Sequence, residues 1–312
     1  MTTKYSRRGF MMGSAATLAV LHANAFSGWA QSRPASSLTP GLQLFMVKDE
    51  LAKDTPGTLQ KLAAIGYRDV EYFAIQGYTA SQFSKLLDQA GLRCPSAHLG
   101  FGIVETEKLL DDAAALGAHY VISSILPPPS LKSHDMAAIM DRMNHLSRDD
   151  FKSMAQEANE IAVKAQKRGM QYAYHNHNVE FRTFEDGETG YSIVMKETDP
   201  KLVQFEADLG WMTVGGANPL QIIKSAPSRF PLLHFKDFSV LVPPVTALGT
   251  DRQQKVVDLG QGLVPFKEIV AYAKAHLHIA YYIVDHDPPF HNQTALEAAK
   301  IDFDYLAGLL AS

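Results

Sequence analysis

Several apolar stretches of this 312-residue chain end in side chains that can move protons or bind a cation. Glu71 closes one such stretch and His98 the next. A third runs into His175-Asn176-His177-Asn178-Val179-Glu180. Glu206-Ala207-Asp208, His234-Phe235-Lys236-Asp237 and Asp285-His286-Asp287 follow. Singly, each has an ordinary explanation: a histidine there is commonly a hydrogen-bonded structural residue. Asp208, before Leu209-Gly210, can cap a turn or helix, and Asp237 can be a solvated loop carboxylate. Jointly, ionisable groups close four successive stretches in the second half of the chain. Burying so many is too costly unless they are paired or share a cation. Mixed imidazole and carboxylate donors suit Mn, Zn, Co or Fe without choosing among them, so one divalent metal ion is the expected cofactor.

In extended chain, side chains alternate, so His175 pairs with His177, Glu206 with Asp208, His234 with Lys236, and Asp285 with Asp287. This predicts metal ligands flanked by substrate-binding and orienting groups. Lys236 is placed to hold a substrate oxygen or stabilise an alkoxide, against a competing reading as a rim salt bridge to Asp237 or Asp285.

The elements that must position these groups alternate regularly. Strand patterns cover Gly41 to Val47, Arg68 to Phe73, Arg93 to Leu99, His119 to Ser124, Gln171 to His175, Leu202 to Asp208, Leu232 to Lys236 and His278 to Asp285. Helical patterns lie between them: Thr58 to Ala64, Thr79 to Ala90, Glu105 to Leu116, Asp150 to Arg168, Gly190 to Glu197, Asn218 to Ser225 and Val264 to Ala275, with a last one from Thr294 to Leu310. The strands are short and mostly apolar without clean alternation, as expected where both faces are covered. Eight such units predict an α/β fold, a single-domain (β/α)8 TIM barrel over residues 41–312. An open doubly wound sheet would need a glycine-rich phosphate turn after an early strand, and none is present. Catalytic groups of a barrel sit at the carboxyl ends of its strands, where all the residues above fall.

Residues 1–30 read as an export signal. Ser6-Arg7-Arg8-Gly9-Phe10 precedes an Ala-rich apolar run from Met11 to Phe26, too short for a stable membrane anchor. The paired arginines resemble a twin-arginine signal, which implies a periplasmic or otherwise exported protein; a linker is expected at 31–40. Losing the three positive charges of Lys4, Arg7 and Arg8 would take the formal charge from −4 to −7. An acidic chain without a basic tract argues against nucleic acid as a partner. Cys94 is the single cysteine, which excludes an internal disulfide and a thiolate metal cluster.

The chain resembles the sugar phosphate isomerase/epimerase superfamily, the xylose isomerase-like barrels. Tyr174-His175-Asn176-His177-Asn178-Val179-Glu180-Phe181, Phe205-Glu206-Ala207-Asp208-Leu209-Gly210-Trp211, Leu233-His234-Phe235-Lys236-Asp237, Asp258-Leu259-Gly260-Gln261-Gly262 and Val284-Asp285-His286-Asp287 carry the resemblance. It implies four metal ligands, one from each of strands five to eight: His175, Asp208, His234 and Asp285. His175 and Asp285 stand where epimerases of the superfamily commonly have glutamate. The implied activity is that of a metal-dependent isomerase or epimerase acting on a sugar or keto-sugar through a metal-stabilised enediolate. His177, Glu180 and Asp285 are the candidate proton-transfer groups, with Lys236 beside them and Glu206 more remote. Asp285, one methylene shorter than glutamate, weakens a simple two-base epimerisation.

The expected partner is a small-molecule carbohydrate, unphosphorylated because no strongly basic phosphate pocket stands out. Phe45, Phe73, Trp211 and Phe290 are candidates for an apolar wall against a sugar ring. The loop beginning Pro127-Pro128-Pro129 and the segment Ser239 to Leu263 lie on the same rim. The latter could also serve contact between subunits of a homo-oligomer. Two other functions stay open: a metal-dependent lyase cleaving an oxidised (keto) glycoside by elimination, and a non-catalytic sugar-binding barrel. Phosphodiester hydrolysis would want more metal ligands and a basic track.

Overall fold

The computed structural model describes residues 39–74, 77–123, 125–239, 244–249 and 255–312. The expected signal at 1–30 and all but the last two residues of the expected linker lie outside them. Eight parallel strands close into a barrel in sequence order: β1 Gly41–Gln43, β2 Asp69–Phe73, β3 Arg93–His98, β4 Tyr120–Ser123, β5 Gln171–His175, β6 Val203–Asp208, β7 Leu232–Phe235 and β8 Tyr281–Val284. β8 pairs with β1 and completes the ring. This is the (β/α)8 architecture expected from the alternating pattern.

Local chemistry sets the helix boundaries. Thr79 and Thr294 each open a helix (Ala80–Ala90 and Ala295–Ala311) with a reciprocal capping box to Gln82 and Glu297. Gly91 and Gly117 end helices in the left-handed region, φ 72° and 79°, and turn the chain into β3 and β4. Three helices lack a sequence expectation: Lys48–Lys53, Met136–Asn144 inside the excursion after Pro127, and Leu209–Val214. β1 is shorter than the apolar pattern Gly41 to Val47 suggests. The Gln43 side chain accepts from Phe45 N at 3.0 Å, and Leu44–Val47 coils into a 3-10 turn.

The barrel interior is layered. Ile122, Ala173, Leu232 and Ile283, from β4, β5, β7 and β8, form a small apolar plug inside the cylinder. Two residues further along three of these strands come His175, His234 and Asp285. Period-two alternation thus changes the interior from apolar to ionisable within one step of the pleat. Register aligns this upper layer: His175 lies beside Glu206, and Asp208 beside His234. The much larger apolar core fills the space between the barrel and its helices.

Leu209–Val214 starts directly on the last residue of β6 and packs across the end of β7. A Cβ on Gly210 would lie 2.5 Å from the Lys236 carbonyl oxygen and 2.9 Å from Lys236 Cβ. Overpacking of this kind costs about 1–3 kcal/mol, roughly 2–12 °C in the melting midpoint of a domain this size. Gly210→Ala is therefore expected to melt several degrees lower in calorimetry. An unchanged midpoint would show that the chain around Lys236 gives way freely.

Candidate metal centre

His175, Asp208, His234 and Asp285 end adjacent strands, and each brings one ligand atom within 4.8 Å of the other three. His175 Nε2 is 3.9 Å from Asp208 Oδ2, and His234 Nδ1 is 3.2 Å from Asp285 Oδ2. All four side chains are buried. Asp208 divides its oxygens between two tasks. Oδ1 accepts from Trp211 N at 2.7 Å and caps the helix Leu209–Val214, whereas Oδ2 is buried with no hydrogen-bond partner. An orphaned buried carboxylate oxygen costs about 1–3 kcal/mol, and more when charged, so a cation is its natural complement. Burial, and then the charges of His234 and His98, hold the His175 imidazole well below its usual pKa. It is thus neutral, as a metal ligand must be. The donor set fits one divalent ion.

Below these groups lies a denser layer. Glu206 Oε2 is 2.9 Å from His175 Nδ1 and 2.7 Å from His98 Nε2. Its Oε1 is 3.1 Å from His234 Nε2, and Glu71 Oε1 is 2.8 Å from both His234 Nε2 and His98 Nε2. The contacts of His234 Nε2 are close without being aligned as hydrogen bonds. Glu71 is held in turn by Gln43 Nε2 at 2.8 Å. The outer nitrogens of His175 and His234 thus face an aspartate while their inner nitrogens face a glutamate, the arrangement that fixes tautomer and ring angle in metal sites. Burial opposes charge on His98, yet Glu71 and Glu206 outweigh it and push the imidazole up to about 9. Sequence reasoning saw Glu71 and His98 as strand ends but gave them no role, and it left Gln43 unnoticed.

Lys236 is buried at the centre of the site rather than on the rim. Its ammonium lies 2.7 Å from Asp287 Oδ2, 3.0 Å from Asp285 Oδ2 and 3.8 Å from Asp208 Oδ2, and 5.0 Å from the centre of the Trp211 ring. The expected pairing with Asp285 is present; the alternative with Asp237 is not among its contacts. Asp237 is buried rather than solvated. It accepts from the backbone N–H groups of Phe238, Gly260, Gly262 and Val264, so it clamps the Asp258–Gly262 loop to the barrel. Burial disfavours the charged form of Asp285, but Lys236 and His234 overcome it and hold the carboxyl well below the usual range.

The other proton-transfer candidates separate. The His177 ring is 5.1 Å from the His175 ring and 5.8 Å from the Trp211 ring, on the wall of a cavity of about 170 Å³. Ile125, Met140, Asn178 and Leu248 also line that cavity. Glu180 lies apart from the cavity wall. It is fully buried, accepting from Tyr174 Oη at 2.9 Å and from His177 N at 3.1 Å, and so anchors the loop that carries His177. Of the aromatic wall candidates, Trp211 lines the cavity. Phe45 and Phe73 pair edge to face at 5.0 Å, and Phe290 lies 5.2 Å from the His286 ring. A separate group, Asp258, His286 and Asp302, braces a loop: Asp302 binds His286 Nδ1 at 2.8 Å and Leu259 N at 2.7 Å.

The sequence profile of the xylose isomerase-like TIM barrel family matches residues 59–277. An inosose dehydratase of Clostridium botulinum is 24% identical over 189 residues, which span 57% of this chain and 62% of that protein's length. Among solved structures, a sugar phosphate isomerase/epimerase from Parabacteroides distasonis superposes with a TM-score of 0.68 at 24% identity, covering 90% of this chain and 96% of the other. A xylose isomerase-like TIM barrel protein from Mycobacterium smegmatis, in complex with magnesium, gives 0.61 at 17% identity, covering 89% and 98%.

Asp208→Asn is expected to abolish turnover and cut metal content measured by emission spectrometry; near-normal content would remove Asp208 from the ligand set. Glu206→Gln leaves the four donors in place but loosens two rings, and should weaken metal affinity by about 10–100-fold. Glu180 gives a pH signature. Burial raises its carboxyl from 4.5 to about 7, so over that range it stays protonated in the folded chain while the unfolded chain ionises. Its contribution to stability is therefore lost as pH rises from about 4.5 to about 7. Melting midpoints of Glu180→Gln between pH 5 and pH 8 should fall less than those of the parent. An unaltered slope would contradict this assignment.

Proposed function

The chain belongs to the xylose isomerase-like TIM barrel family, and from that premise we propose that it deprotonates the carbon beside the carbonyl of an unphosphorylated keto-sugar, with elimination of the neighbouring oxygen substituent as the outcome. His175, Asp208, His234 and Asp285 would hold one divalent cation. That ion supplies Lewis-acid polarisation of a carbonyl and a counter-charge for the oxygen that becomes negative when the adjacent C–H is lost. The convergence of these four buried side chains, with one Asp208 oxygen left without a hydrogen bond, is the observation that carries the reading.

His177 is the proton acceptor in this proposal: it is an imidazole on the cavity wall, next to His175, and imidazole as a group can take up or return a proton near neutral pH. Lys236 holds the substrate oxygen on the side of Asp287 and Trp211. Two-base epimerisation is disfavoured because the other candidates are engaged elsewhere. Asp285 is held by Lys236 and His234, and both Glu180 oxygens anchor the His177 loop. The name of the Clostridium botulinum relative, a dehydratase, is in keeping with elimination. Isomerisation is the second reading, since a single base can also return the proton to the neighbouring carbon. Export through a twin-arginine route belongs to the same proposal, supported by Arg7-Arg8 and the apolar run after them.

Metal-loaded protein incubated in deuterated water with a panel of ketoses and keto-glycosides tests this. The expected result is metal-dependent loss of a substituent, read by mass. Deuterium on the neighbouring carbon without loss would favour isomerisation, and ligand binding that persists after chelation with no exchange would favour a non-catalytic barrel. His177→Gln should keep its metal and slow exchange by about 10²–10⁴-fold. Lys236→Met should likewise spare the metal and lower the rate.

A further inference from the structure

Beneath the upper ligands, four short nitrogen–oxygen contacts join two imidazoles to two carboxylates. His98 Nε2 lies 2.8 Å from Glu71 Oε1 and 2.7 Å from Glu206 Oε2. His234 Nε2 lies 2.8 Å from the same Glu71 oxygen and 3.1 Å from Glu206 Oε1. An imidazole nitrogen carries at most one hydrogen, held in the plane of its ring. At most two hydrogens therefore serve four contacts. The His98–Glu206 contact has hydrogen-bond geometry, but neither contact of His234 Nε2 does. Glu206 Oε1 and the second oxygen of Glu71 are also buried without a hydrogen bond. Close donor atoms that do not align on one another have a common centre as their alternative target.

Spacing and charge both suit a cation there. Ligand atoms at right angles around an ion, each about 2.0–2.1 Å from it, stand about 2.9 Å apart. The four contacts run from 2.7 to 3.1 Å. Glu206 turns one oxygen to each histidine, so both of its oxygens border the same centre. Two carboxylates carry the charge that a dication neutralises. An ion takes the place of protons on the two rings, so the positive charge facing the glutamates is the same with either. Gln43 Nε2 holds Glu71 at 2.8 Å and His175 Nδ1 meets Glu206 at 2.9 Å, which fixes both carboxylates from outside the group. The side chains of Glu71, Glu206 and His234 are 0% exposed and that of His98 is 8% exposed, so His98 marks the way in.

We propose that Glu71, His98, Glu206 and His234 form a second divalent-cation site, deeper in the barrel than His175, Asp208 and Asp285. Its nitrogen and oxygen donors suit Mn, Zn, Co or Fe. All of these ligands come from the protein, so the ion has a structural role. It ties β2, β3, β6 and β7 together and fixes the ring of His234, which presents Nδ1 to the upper ligands and Nε2 to this layer.

Ion counting tests this. Protein loaded with Co²⁺ and desalted is expected to hold two ions per chain by emission spectrometry. His98→Gln and Glu71→Gln should each lower the count to one by emptying the deep site. Asp208→Asn should also lower it to one, by emptying the upper site, and His98→Gln with Asp208→Asn should bring it close to zero. Chelation should lower the melting midpoint of the parent more than that of His98→Gln, which has already lost the structural ion. One ion in the parent, kept by folded His98→Gln and lost by Asp208→Asn, overturns the deep site and leaves the upper one standing. Two ions in both folded deep-layer variants overturn it as well. One ion kept by Asp208→Asn and lost by His98→Gln supports the deep site and removes the upper one. If neither deep-layer variant folds, anomalous scattering from Co²⁺-loaded crystals of the parent decides: a peak between His98 and His234 supports the site, and its absence overturns it.

Discussion

Two glutamates deep in the barrel, Glu71 and Glu206, constrain everything above them. Each is buried, and between them they contact three imidazoles, those of His98, His175 and His234. Anionic carboxylates in an apolar cylinder are costly unless fully compensated. Here the compensation comes from His98 and from His175 and His234, whose other ring nitrogens face Asp208 and Asp285. The same contacts that make the glutamates tolerable therefore aim the imidazoles upward. Satisfying the buried charge and orienting the metal donors are one act of packing.

The layer above them shows the opposite balance. Asp208, Asp285 and Asp287 surround the Lys236 ammonium, and Asp208 Oδ2 still makes no hydrogen bond. Negative charge is in excess at this level, as a site built for a dication requires. Lys236 keeps the carboxylates from repelling one another while lying against the Trp211 ring, where it can reach a substrate oxygen.

Much of this was legible in the sequence because parallel strands obey a strict parity. Alternation paired His175 with His177, Glu206 with Asp208, His234 with Lys236 and Asp285 with Asp287; the family resemblance then implied the set His175, Asp208, His234 and Asp285, and the structure brings these four together. Parity fails where the strand stops. Glu180 lies past the end of β5, in the 3-10 turn Val179–Phe181, at an odd offset from His175, so alternation could not foresee that its two oxygens accept from Tyr174 Oη and His177 N. Asp237 was misread for a non-local reason. Its partners are the N–H groups of Gly260, Gly262 and Val264, more than twenty residues later, and no local pattern announces that closure. Gln43 was invisible for the same reason: its significance lies in Glu71, which it meets only across the β1–β2 pair. The substitution of His175 and Asp285 for the glutamates of related epimerases was readable, but the chemical consequence was not. That required seeing Asp285 held between Lys236 and His234.

The apolar plug of Ile122, Ala173, Leu232 and Ile283 gives the catalytic chamber a sealed floor. Traffic can therefore use only the rim, and whatever is made must leave by the doorway through which the next molecule arrives. Product still in the chamber blocks entry outright, so inhibition by product should be competitive in kind, and turnover at high conversion is governed by how quickly the doorway clears.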